Sequence, residues 1–130
     1  ILSGHGFASD TLTEIAGAQN ATDLYFTSHF HTGSDNPGAQ EYVAKFEERF
    51  GHAPDTFDAL SYDGAHLIFQ AIEEAGSDDP TAIRDAMENI QFEGVTGSFQ
   101  YDDLHNAVNS APMLHLVNGE VTEEYVVDGN

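Results

Sequence analysis

Histidine is the residue type in this chain most able to do chemistry, and there are seven of them. His29 and His31 stand two apart in a polar stretch, while His5, His52, His66, His105 and His115 are dispersed. A structural zinc site asks for three or four ligands at short local spacing, held by supporting hydrogen bonds. Only His29 and His31 approach that spacing, and the chain has no cysteine to join them, so no metal is expected. Nucleophilic catalysis is not indicated either. There is no G-x-S-x-G and no phosphate-binding loop, and neither Ser3 nor Ser98 has a base beside it in sequence. Carboxylate pairs such as Glu73 and Glu74 are so common here by chance that they read as a solvated helix face rather than acid–base machinery.

The stretch that points to binding is Gly4-His5-Gly6-Phe7. It follows a short apolar strand, residues 1–3, and opens a helix. In open α/β sheets ligands bind at that place, beyond the carboxyl end of a strand and near a helix N-terminus. Two glycines around one side chain let the backbone come close to a ligand. The alternative reading is a tight turn that happens to contain a histidine. Phe57, at the start of a later helix, either lines a cleft or packs into the core. By residue type alone the core is expected.

The elements that would position these residues are legible. Ser9 or Asp10 caps a helix through about residue 18, with Leu12 and Ile15 inward. Residues 24–28, LYFTS, are strand-like, and 29–35 form a polar loop. Asn36 with Pro37 starts a helix whose stripe is Ala39, Tyr42, Val43, Phe46 and Phe50, ended by Gly51. The longest periodic run is 57–76. Asp55 is its expected cap, Asp58 favours the dipole of its first turn, and Gly76 stops it. Its expected inward face is Leu60, Gly64, Leu67, Ile68, Ala71, Ile72 and Ala75. Asp79-Pro80 starts a further helix with Ile83, Met87 and Ile90 inward. From Phe92 the pattern turns to strands, and Asn118-Gly119 between 113–117 and 121–127 is a hairpin signal. The long helix thus divides an α/β half from a β-rich tail.

Composition narrows the function classes. The chain has 130 residues, enough for one modest core, and its hydrophobic content is 40%. Its first residues read as the middle of a strand, so the chain is expected to be a fragment or one piece of a longer protein. Lys45, Arg49 and Arg84 face 23 acidic residues, for a formal charge of −20. Phosphates repel such a surface, which excludes nucleic acid and anionic membranes as partners. No EF-hand spacing accompanies the acidity, so a halophilic surface of hydrated carboxylates is expected rather than calcium binding. On that reading the melting temperature climbs from dilute buffer to molar NaCl. Screening at about 1 M salt, where the Debye length is roughly 3 Å, removes the self-repulsion. A flat profile would sink the halophilic reading.

Several stretches together carry a family likeness: GHGF, LYFTSHF, NPGAQEYVAKFEERFG, ALSYDGAHLIFQAIEEAGSDDPTAIRDAM and FEGVTGSFQYDD. In this order the chain resembles the C-terminal part of a type I periplasmic solute-binding protein, in the branched-chain amino-acid (leucine, isoleucine, valine) branch of ABC importers. The likeness covers nearly all of the chain and about the last third of such a protein. It implies an α/β fold of two lobes that close on a small ligand, of which this chain holds pieces of both. Residues 1–51 would belong to the C-terminal lobe, the helices of 57–94 to the N-terminal lobe, and 95–130 to the hinge and return strands. The serine/threonine loop that grips the ligand carboxylate would lie in the absent portion. The resemblance further implies a non-enzymatic, cofactor-free component, periplasmic or extracellular and in full length lipid-anchored in some cases, that delivers its ligand to a membrane permease. His5, with Gly6 beside it, matches where amino-acid binders often place an acidic residue for the ligand ammonium. Phe57 matches an aromatic that packs on the ligand side chain. Histidine is a departure from the acidic pattern, because a neutral imidazole cannot neutralise an ammonium. The expected ligand is therefore a small amino acid, amide or carboxylate. A receptor's ligand-sensing domain of the same fold is the alternative, and a metal-dependent hydrolase using the histidines is a third reading. Uncovered sheet edges and the apolar face of the 57–76 helix lead to an expectation that the chain pairs with itself or else with the absent N-terminal portion.

Overall fold

The computed structural model describes residues 1–7 and 10–127. Its first sheet has four strands in the order β1 (Leu2–Ser3), β2 (Leu24–Thr27), β6 (Ala111–Val117) and β7 (Glu120–Val127). β1 runs parallel to β2, while β2–β6 and β6–β7 are antiparallel. The tail of the chain therefore returns to the sheet that the first thirty residues begin. Alternation on β2 sends Leu24 and Phe26 to one face, where they meet Leu116 and Leu114 across the β6 register. These four and Ala21 form a buried cluster, covered by Leu12 and Ala16 of α1 (Asp10–Ala16). On the opposite face Tyr25 stacks on His115, its register partner, at 4.0 Å between ring centroids. Asn118 (φ 51°) and Gly119 (φ 84°) make the two-residue turn between β6 and β7 that the sequence predicts. Both angles are positive, as the right-handed strand twist requires of such a turn.

Three helices follow β2, and the caps read from the sequence form. In α2 (Pro37–Phe50) the Asn36 side chain accepts from the Gly38 N–H at 2.9 Å. In α3 (Thr56–Ala75) Asp55 accepts from the N–H groups of Phe57 (2.7 Å) and Asp58 (2.9 Å). The Asp58 carboxylate in return accepts from the Asp55 N–H at 3.0 Å. These reciprocal bonds satisfy donors that the helix itself leaves open. In α4 (Pro80–Met87) Asp79 accepts from the Ala82 N–H at 3.0 Å. The expected cap of α1 at Ser9, and the side chain of Asp10, lie outside the described residues. α1 stops at Ala16, short of the expected residue 18, because Gly17 turns left-handed at φ 80°.

The second sheet is a meander of β3 (Phe92–Gly94), β4 (Gly97–Tyr101) and β5 (Ala107–Asn109). One carboxylate fastens it to α3. Asp63, buried in the middle of that helix, accepts from the Val95 N–H (2.9 Å), the Thr96 N–H (2.8 Å) and the Thr96 hydroxyl (2.6 Å). A Cβ on Gly94 would overlap this carboxylate, so the strand can approach only as glycine.

Several core assignments need correction. α3 buries Thr56, Ala59, Asp63 and Ala71, whereas the expected Leu60, Ile68 and Ile72 are exposed. The helix turns its small residues toward the end of β2 and the β3–β4 turn, and its larger apolar residues face outward. Phe50, expected in the α2 stripe, is 54% exposed at the last turn, and Ile15 of α1 is 82% exposed. The rest of the α2 stripe does pack: Ala39 and Tyr42 are buried with Phe30 and Ala59, and Val43, Phe46 and Val95 lie against them. Ile90 is buried beyond the end of α4, while Ile83 and Met87 are half-buried.

Candidate functional site

Because β1 and β2 are parallel, with Ser3 opposite Phe26, their carboxyl ends lie side by side. His5 emerges from the first end, in a single 3-10 turn over His5–Phe7, and is exposed. His29 emerges from the second. The two imidazoles meet at 5.6 Å between centroids, inclined by 53°. His29 Nδ1 lies 3.2 Å from the Asn109 side-chain nitrogen at the end of β5, brought from 80 residues away. Burial, then the nearby His5, lower the pKa of His29 from its ordinary value and so favour the neutral ring.

The residues on either side of His29 reach the start of α3. Ser28 is 1% exposed, and its hydroxyl donates to the Phe30 carbonyl at 2.8 Å. It also lies 3.2 Å from the Thr56 hydroxyl, which reaches the same carbonyl at 3.3 Å. This buried polar knot holds the first turn of α3 against the end of β2. Phe57, the next residue, is 67% exposed, so the core role expected from its type is overturned. As the first turn of a capped helix packs through Thr56 and Ala59, the position between them faces outward. The structure thus brings His5, from the β1 turn that also holds Gly6, to His29, and anchors Phe57 beside the same strand end. No hydrogen bond or ring contact joins His5 to Phe57 among the described residues.

His29 and His31 do not act together. His31 Nε2 pairs with Glu123 of β7 at 2.9 Å, on a different side from the Asn109 contact of His29. The other histidines also find separate neighbours: His115 a carboxylate of Glu124 at 2.9 Å, His105 that of Glu88 at 3.7 Å, and His66 the ring of Tyr62. Among the described residues no group of three or more His, Cys, Asp or Glu side chains could hold a metal ion. His29 and Asn109 are the site residues that sequence reasoning did not assign to binding. His29 was legible in principle, since it ends the strand that pairs with the GHG strand. Asn109 was not, because only the long-range meander brings it near. Elsewhere, an open groove of about 1240 Å³ runs between α2 and α3, lined by Tyr42, Phe46, Phe50, Tyr62 and Phe69. None of His5, His29 and Phe57 lines it.

Comparison with known proteins agrees with this topology. The family profile described as "Periplasmic binding protein" matches residues 1–120. Leu/Ile/Val-binding protein homolog 1 of Brucella suis is 33% identical over 103 residues, which is 78% of this chain and 27% of that protein. The leucine-binding protein LivK of Thermotoga maritima superposes with a TM-score of 0.82 at 33% identity, over 98% of this chain and 37% of its own. LivJ of Streptococcus pneumoniae, solved in complex with isoleucine, gives 0.84 at 34% identity with the same two coverages. The chain therefore spans roughly a third of the length of its relatives. No helix of the described residues is long and apolar enough to cross a membrane. With a match along nearly its whole length, and a fold shared with solved leucine and isoleucine binders, the chain belongs to the periplasmic binding protein family.

Proposed function

We propose that the protein carrying this chain is the extracytoplasmic solute-binding component of an ABC importer. It takes a small amino acid, amide or carboxylate between two lobes and presents it to a membrane permease, without catalysis. The observation that supports this most is the knot of Ser28, Phe30 and Thr56. It holds the exposed Phe57 beside the strand end from which His29 emerges against His5. Residues 1–51 and the return strands form the C-terminal-lobe part, in keeping with the β2–β6 pairing, and 57–94 the N-terminal-lobe helices. His5 and the backbone at Gly6 meet the polar head of the ligand, and Phe57 supplies an apolar wall. The family relatives whose names specify leucine, isoleucine and valine make ligands of that size the first to test.

Calorimetry on the full-length protein tests the reading. His5→Ala and Phe57→Ala are each expected to weaken binding by at least about 1 kcal/mol, the lower end for losing a polar partner or an interface anchor. Unchanged affinity in both variants means that the cleft lies elsewhere.

A further inference from the structure

The proposed ligand head meets two imidazoles rather than one, and the second is constrained. The side-chain nitrogen of Asn109 lies 3.4 Å from the Ser110 carbonyl as well as 3.2 Å from His29 Nδ1. Facing a carbonyl, that nitrogen can only donate, so the amide orientation is set. Nδ1 of His29 is therefore an acceptor, and in the neutral ring the proton resides on Nε2. An added proton at Nδ1 would bring two donors face to face. Burial and His5 oppose that protonation as well. The charge that acts on the ring is that of His5, which approaches from the β1 turn. His29 consequently offers an N–H and no free lone pair.

We propose that His29, its tautomer set by Asn109, is a specificity-determining residue that presents a hydrogen-bond donor beside His5, so that the pair selects a ligand carboxylate over an ammonium. The inference rests on the cleft reading above and narrows it. A ring that can only donate has nothing to offer an ammonium, which also only donates. A carboxylate can accept from both rings, and its charge strengthens each bond.

Three probes with one apolar body separate the head groups: 4-methylpentanoate, L-leucine and 3-methylbutylamine. Each is titrated calorimetrically into the full-length protein at about pH 8, where a free imidazole is neutral. Wild type is expected to bind 4-methylpentanoate tightest and the amine weakest. His29→Ala is expected to weaken the carboxylate about tenfold or more, the scale of one hydrogen bond to a charged group. His29→Gln, which keeps an N–H donor, is expected to retain most of that affinity. Asn109→Asp should move the His29 proton to Nδ1, seen in the ring nitrogen shifts by NMR, and lower carboxylate affinity while the fold persists. Unchanged carboxylate binding in His29→Ala, alongside losses in His5→Ala and Phe57→Ala, overturns this inference and leaves the cleft reading standing. Equal losses in the Gln and Ala variants assign His29 to packing and also overturn it. If no probe binds wild type, or if the His5 and Phe57 variants behave as wild type, the cleft reading fails and this inference with it.

Discussion

The four-stranded sheet and helix α3 are built on opposite terms. Outside the β6–β7 hairpin the sheet has weak local signals: β1 is two residues long, and β2 is four. What holds it is a closed apolar cluster, with Phe26 and Leu114 each 1% exposed. α3 has strong local signals, with reciprocal capping at one end and a left-handed Gly76 at the other. Yet it leaves Phe57, Ile68 and Phe69 exposed and packs through alanines, a threonine and a carboxylate. The difference teaches that caps and periodicity determine whether a helix forms, whereas its buried side is chosen by what lies next to it. A seam of rings connects the two regions: Phe30 against Tyr42 at 5.9 Å, and Tyr42 against Tyr62 at 4.8 Å.

The sharpest test sets one region against the other. Phe26→Ala, in the closed cluster, is expected to cost about 3–5 kcal/mol in urea unfolding of this chain. Phe69→Ala on the outer side of α3 should stay within about 0.5 kcal/mol, as an exposed substitution does. Equal costs would break the contrast and mean that the outer side of α3 is covered in solution. Next in size is the clamp between α3 and the meander. Asp63→Ala leaves two N–H groups and a hydroxyl without their acceptor and is expected to cost about 2–3 kcal/mol. Faster amide exchange at Val95 and Thr96 would place the loss there. A stable variant with unchanged exchange would show that the meander holds itself.

The seam gives the third test, through alkaline pH. Burial, then the charges of Asp58, Asp63 and Asp55, push the Tyr42 phenol up to about 12. The unfolded phenol ionises near 10, so the neutral form is favoured by folding. That contribution is whole below pH of about 10 and is lost as pH rises toward about 12, on the order of 1–2 kcal/mol in all. Unfolding midpoints of Tyr42→Phe should fall less steeply across this window than those of wild type, and parallel slopes would contradict the assignment. The smallest effect belongs to the caps. Asp55→Ala is expected to cost about 1 kcal/mol, read from the urea midpoint. If it cost nothing, the tertiary contacts of Thr56 and Ala59 alone would hold the start of α3.

The sequence by itself determined the elements whose causes are local. Asn36-Pro37, Asp55 with Asp58, and Asp79-Pro80 cap their helices because those side chains bond to backbone two or three residues away. Asn118-Gly119 turns a hairpin because both residues tolerate positive φ. The GHG turn, too, was visible as a strand end opening toward a helix. Tertiary structure decided the rest, since it depends on neighbours far away in the chain. It turned Thr56, Ala59, Asp63 and Ala71 inward and left Leu60, Ile68 and Ile72 outside, against the helical stripe. It exposed Phe57, which its residue type would bury. It also separated His29 from His31, two residues on, and gave His29 instead to His5 and Asn109. Spacing along the chain says which side chains share a face. Which face meets which partner is set only when β2 finds β6 and the meander closes over its end.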